Sequence, residues 1–160
     1  MFGRNRIAVA ISLVLIGLAG AAYAAPDWLT GSPDAQLKTL AGIQPGLGTV
    51  MIEYSNRYST IYYAAKAGNW PLAAYELKEA KEIQEVGETT RPARADALKA
   101  FERSFLDPLG KTIEAKDFGK FEASFNAGVR GCNACHTAQG FSYIKYALPS
   151  SAPSPLSLAP

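Results

Sequence analysis

The chain reads as all-α, with the connectivity of an up-down-up-down four-helix bundle. Three observations predict this fold. Apolar side chains recur at three- and four-residue intervals in four separate stretches between residues 46 and 147. Breaks rich in Gly, Pro, Asn or Asp separate the stretches, and such short connections turn each helix back along its predecessor. No stretch shows the strict apolar–polar alternation of a half-buried strand.

Residues 1–24 stand apart from the fold. Arg4 and Arg6 precede an apolar run from Ile7 to Leu18, and Ala22-Tyr23-Ala24 supplies the small-x-small pattern of a cleavage site. This is the layout of a secretory signal peptide. Left uncleaved, Ile7 to Ala25 would border on the roughly 20 residues that span a membrane. Residues 25–45 read as an irregular lead-in, punctuated by Pro26, Gly31, Pro33 and Pro45.

The folded domain is expected over 46–147. In its first helix Met51, Tyr54, Tyr58, Ile61, Tyr62 and Ala65 share a face, and Ala67-Gly68-Asn69 stops it. Pro71 suits the first turn of the second helix. Leu72, Tyr75, Ile83 and Val86 form its stripe, Gly87 sits where a C-terminal cap would be, and Glu76, Lys78, Glu79, Lys81, Glu82 and Glu85 read as a solvated face. The third helix is expected from about Pro92, burying Leu98, Phe101, Phe105 and Leu109, with Pro108 kinking or ending it. Asp117 is placed to cap the fourth. There Phe121, Phe125, Val129, Cys132 and His136 recur at helical spacing, and Gly140 closes the helix. Residues 148–160, all Pro, Ser, Ala and Leu, read as a flexible tail.

Cleavage after residue 24 would remove two of the 16 basic side chains and none of the 14 acidic ones, leaving a balance of 14 against 14. Nucleic acid is therefore not an expected partner, and neither is stable membrane insertion once the signal is gone. The remaining 136 residues are enough for one domain with a real core.

The most specific feature lies in the fourth helix. Residues 132–136 read Cys132-Asn133-Ala134-Cys135-His136, the C-x-x-C-H spacing at which two thiols bond covalently to haem and the following histidine ligates its iron. On a helix the two cysteines share one face, and the imidazole one step later can swing beneath the tetrapyrrole they hold. One haem c, attached through Cys132 and Cys135, is the cofactor expected. Other readings are open to the same residues. A zinc site would need a carboxylate, because the chain has no further cysteine or histidine. A thioredoxin-like pair would need a βαβ setting and a lowered thiol pKa. A disulfide here would close only a small loop.

A single C-x-x-C-H near the end of an all-helical, signal-bearing chain resembles the class II cytochromes c, the cytochrome c′ group. The likeness runs from about Gly46 to Tyr146, and the segment Gly68 to Leu77 also resembles one found in small exported bacterial proteins with a comparable terminal haem motif. Haem c attachment in bacteria is an export-side event in that class, so the resemblance implies a periplasmic protein. Its partners would be exported redox proteins, and a homodimer lies within what the group does. The class I pattern, with a distant downstream methionine, cannot apply: nothing after His136 is a methionine or histidine.

The second axial position decides the function. Met51 is the one methionine after the leader. At about 1.5 Å per residue, Met51 and His136 lie roughly 9 and 6 Å from the same end of the expected bundle. In the six-coordinate four-helix cytochromes that this chain resembles, the second ligand comes from the first helix. The alternative for Met51 is a gap-filling core residue. Tyr58, two turns along the same face, competes for the distal position. Tyr54 and Phe125 are expected to wall the haem, and Arg130 and Lys145 to pair with its propionates or to stand in solvent. Ligation by His136 and Met51 suits one-electron transfer; His136 alone would leave a face open to NO or CO. An enzyme is not the expected reading, since peroxidase-like chemistry wants a distal acid or base and no second histidine is present.

Overall fold

The computed structural model describes residues 28–160. The signal-peptide reading of residues 1–24 falls outside the described residues. Among those described the protein is all-helical, with no strand, and the chain divides into two compact units between Gly42 and Ile43. No helix among them is long and apolar enough to cross a membrane.

The first unit contains α1, Pro33–Gly42. The sequence leads one to expect an irregular lead-in here. Instead Ser32 accepts from the Ala35 backbone N–H at 3.3 Å, and this cap, with Asp34 in the first turn, starts a helix on the proline at its N-terminus. α1 buries none of its residues.

The second unit begins with α2, Leu47–Lys66, whose buried face carries Val50, Tyr54, Tyr58, Ile61 and Ala65. The helix ends as expected. Gly68 takes a left-handed φ of +80°, its N–H bonds the Ala65 carbonyl, and the Asn69 N–H reaches back to Ala64, a Schellman closure. Asn69 also opens the next helix, its side chain accepting from Leu72 N–H at 3.1 Å.

That helix, α3, runs Trp70–Thr90. Its inward face is the expected one only in part: Leu72 and Ile83 pack against the core, and the other two stripe residues do not. Tyr75 is 48% and Val86 38% exposed, whereas Ala73, Ala80 and Gly87, spaced by sevens, are buried, Gly87 against Leu47 and Val50 of α2. Small residues let the helix axes approach closely: a Cβ at Gly87 would lie 3.0 Å from Leu47 and 3.2 Å from Val50. Gly87 is thus a contact residue and not a cap, and the helix stops ahead of Pro92. The rotation also takes Glu76 out of solvent. It is 1% exposed and held by Arg57 at 3.2 Å, with its Oε1 unpartnered.

After α3 the chain forms α4, Pro92–Phe101, then a π-helical turn over Glu102–Leu106, then α5, Asp107–Glu114. Pro108, expected to kink or end the third helix, sits in the first turn of α5 and does not stop the helical run. The widened turn, in which Asp107 N–H bonds Glu102, makes room in the hydrogen-bond ladder that the proline ring would otherwise disrupt. It also moves burial by one position: Leu106 is fully buried and Phe105 only partly. Lys116, in the left-handed region at φ 52°, turns the chain. Asp117 caps α6, Phe118–Ala138, by accepting from Lys120 N–H at 3.0 Å.

Within this unit α3 packs on α2, α4 and α5; α6 packs on α2, α4, the π turn and α5. The core lies between them, built on Tyr58, Ile61, Leu106, Leu109, Phe121 and Phe125. Residues 148–160 form no helix, as their composition predicts. The stretch is not free, however: Leu148 packs on the core, Tyr63 donates to the Pro149 carbonyl, and Asn69 donates to that of Ala159 at 2.9 Å.

Candidate functional site

Between α2, α4, α6 and the segment after Gly140 lies a cavity of about 540 Å³, within the usual range for ligand and cofactor sites. Its walls bring together Met51, Tyr54 and Tyr58 from α2 with Cys132, Cys135 and His136 from α6. Leu98 and Phe101 of α4 and Phe141 and Ile144 beyond α6 give the remainder an apolar character.

The C-terminus of α6 explains why His136 points where it does. Gly140, at φ +88°, closes the helix as expected: its N–H bonds Thr137, and Phe141 N–H bonds the His136 carbonyl at 2.8 Å. The reversal sends residues 141–146 back over the motif. There the Ile144 carbonyl lies 2.9 Å from His136 Nδ1. A carbonyl only accepts, so Nδ1 carries the proton and the Nε2 lone pair is left for a metal. This is the arrangement that metal-ligating histidines adopt, with the second nitrogen tied to a carbonyl.

The two thiols form no disulfide. Burial, with Cys135 nearby, pushes the Cys132 thiol up to about 12; burial also raises Cys135, against the opposing pull of Arg94. Neither behaves as the low-pKa thiol of a redox pair. Zinc finds no set either: among the described residues no group of three His, Cys, Asp or Glu side chains gathers. One imidazole with its outer nitrogen occupied, two thiols on the same helix and a thioether on another helix, all on one largely apolar cavity, fit the donor set of a haem c.

The expected wall residues divide. Tyr58 lines the cavity, but its hydroxyl donates to the Phe125 carbonyl at 3.1 Å, and its ring stacks on Phe125 at 4.6 Å. Its hydroxyl is committed to the core, so the structure does not support Tyr58 as the distal group. Phe125 is fully buried behind Tyr58 and forms no part of the cavity lining. Arg130 is exposed and likewise off the lining. The cations that do reach the cavity are Lys145, as expected, and Arg94, which donates to Gln139 and lies 5.8 Å from the Phe141 ring centre.

Tyr54 holds a different position from Tyr58. It is 6% exposed, stacks on Tyr58 at 5.9 Å, and its hydroxyl is buried without a partner. Burial holds its pKa well above the ordinary tyrosine value.

Three contributors were not legible beforehand. Arg94 sits in the first turn of α4, where its spacing relates it to nothing in α6. Asn133 lies inside the C-x-x-C-H motif at a position whose identity the haem chemistry leaves free. Tyr146 follows the turn at Gly140, where helical periodicity has already ceased. Asn133 is the one that carries a signal, as a side chain able to donate and accept at once between the two cysteines. Compared with known proteins, the chain matches no family model, no curated protein and no solved structure.

Proposed function

We propose that this protein is a periplasmic monohaem c-type cytochrome, a four-helix bundle that carries one electron between exported redox partners. The observation that carries the reading is the His136 geometry. A C-x-x-C-H histidine with Nδ1 tied to Ile144 lines the same cavity as Met51 of α2. Cys132 and Cys135 would hold the haem by thioethers, and His136 and Met51 would ligate its iron. The haem iron supplies a one-electron couple, and the protein's part is to keep both ligands in place in either oxidation state. His136 is fixed by the Ile144 carbonyl, and Met51 by its place on α2. The apolar walls would keep water from the iron, and Arg94 and Lys145 would offer positive charge to the propionates.

A second reading, five-coordinate binding of NO or CO, draws on one specific observation. The unpartnered Tyr54 hydroxyl is a donor that could bond a diatomic ligand in the cavity.

The test is the visible spectrum of the reduced protein, matured with its signal and haem-attachment machinery, with and without carbon monoxide. Electron transfer predicts a low-spin spectrum that carbon monoxide leaves unchanged, and carbon monoxide binding in Met51→Ala. A carbonyl spectrum in the wild-type protein would favour the gas-binding reading. Absence of covalent haem would overturn both.

A further inference from the structure

Asn133 stands between the two cysteines, with its side chain turned towards the returning segment. Its Nδ2 donates to the Tyr146 carbonyl at 3.1 Å, and its Oδ1 accepts from the Tyr146 N–H at 2.8 Å. Both hydrogen-bonding groups of one backbone residue are thereby held by one amide, much as a neighbouring strand would hold them. Tyr146 is anchored on its other side as well. Its hydroxyl shares a hydrogen bond of 2.9 Å with Ser59 of α2, and its ring meets Tyr58 edge-on at 5.7 Å. Two residues earlier in the same segment, the Ile144 carbonyl takes the His136 Nδ1 proton.

We infer that Asn133 is a positioning residue for His136: by clamping the backbone of Tyr146, it holds the Ile144 carbonyl against Nδ1 and so sets the basicity and orientation of the axial imidazole. The inference rests on the cytochrome reading and deepens it. Residues 141–145 are exposed and form a single turn, in which Ile144 N–H bonds the Phe141 carbonyl at 2.9 Å; that turn fixes the segment's own shape, and its attachment to the helices needs a further point beyond it. The Asn133 clamp and the Ser59 bond provide that point from α6 and from α2. The segment thus joins the helix that carries His136 to the helix that carries Met51.

The chemistry gives the effect a sign. A carbonyl accepting from Nδ1–H makes the imidazole a stronger donor at Nε2, which stabilises the ferric more than the ferrous state and lowers the reduction potential. Asn133→Ala should therefore raise the midpoint potential, by up to about tenfold in the reduction equilibrium, or about 59 mV for one electron. Asn133→Asp keeps the acceptor for Tyr146 N–H and should fall between the two, which guards against an alanine variant that merely fails to fold. Tyr146→Phe loses only the Ser59 bond and should shift the potential least.

The experiment is redox titration of the matured wild-type protein and the three variants, with covalent haem read on denaturing gels and His136 side-chain nitrogen shifts read by NMR. A graded rise with haem content unchanged supports the role. Equal potentials in wild type, Asn133→Ala and Asn133→Asp overturn it while leaving the cytochrome reading intact. Wild-type protein without covalent haem defeats the cytochrome reading itself. The nitrogen shifts of the haem-free chain then decide the clamp: a protonated Nδ1 lost in Asn133→Ala supports it, and one retained overturns it.

Discussion

α2 and α6 face each other along their length, yet their two ends do opposite things. Towards Lys66 and Phe118 the interface is filled: the Tyr62 ring lies 5.0 Å from that of Phe125 and 6.3 Å from that of Phe121. Phe121 and Phe125 are completely buried. Towards Leu47 and Ala138 the same two faces diverge around a cavity of about 540 Å³. The apolar stripe on α6 is continuous in sequence through both regions. What differs is the partner across the gap, large rings at one end and Met51 with an unbonded tyrosine at the other. A stripe therefore says which face turns inward, and the facing residues decide whether that face is filled.

Breaking the filled end should have the largest effect. Phe125→Ala removes a ring that stacks on Tyr58 and tilts against Tyr62, and should cost about 3–5 kcal/mol in chemical denaturation. Gly128→Ala attacks the boundary between the regions, because its Cβ would fall 2.0 Å from the Tyr58 hydroxyl. Overpacking of this kind costs about 1–3 kcal/mol, and a lowered melting temperature would register it.

Removal of a hydroxyl separates the two ends more finely. Tyr58→Phe removes the second donor of the Phe125 carbonyl, which keeps its helical bond, and should cost about 1 kcal/mol. Tyr54→Phe removes a hydroxyl that has no partner to lose, so denaturation midpoints should stay level or rise. A clear loss in Tyr54→Phe would show that the hydroxyl is already bonded and that the contrast is false.

The smallest effect lies away from both ends, at Glu76. Burial raises its carboxyl above the ordinary 4.5, against the opposing bond from Arg57. A raised acid favours the fold in its protonated form, so its contribution is full below about 4.5 and is lost as pH rises through the folded value. Glu76→Gln should flatten that part of the stability–pH curve, as melting temperatures taken between pH 4 and 8 will show.

Much of this contrast was legible in the sequence, and its limits are physical. Helix positions on α2 and α6 followed from spacing, and their ends from Gly68, Asn69, Asp117 and Gly140, because capping is local chemistry. The inward face of α3 was legible only through Leu72 and Ile83, because Ala73, Ala80 and Gly87 contribute by being small. Size complementarity belongs to a pair of helices and leaves no apolar stripe. Of the site, the motif brought Cys132, Cys135 and His136, and helix lengths brought Met51 to the same end. Arg130 and Arg94 could not be told apart, since which cation reaches the cavity depends on how α4 is rotated against α6.

The π turn at 102–106 has a consequence for that rotation. An α-helix advances about 100° per residue, so one residue held outside the regular ladder resets the phase of everything after it. Before the turn, Leu98 and Phe101 present themselves to the cavity; after it, Leu109 and Ile113 present themselves to the core. A continuous α-helix could not keep both alignments. Deleting one residue there would straighten the ladder and swing α5 out of register with α6, so the spare residue works as a gear tooth that lets one helical run mesh with two differently shaped neighbours.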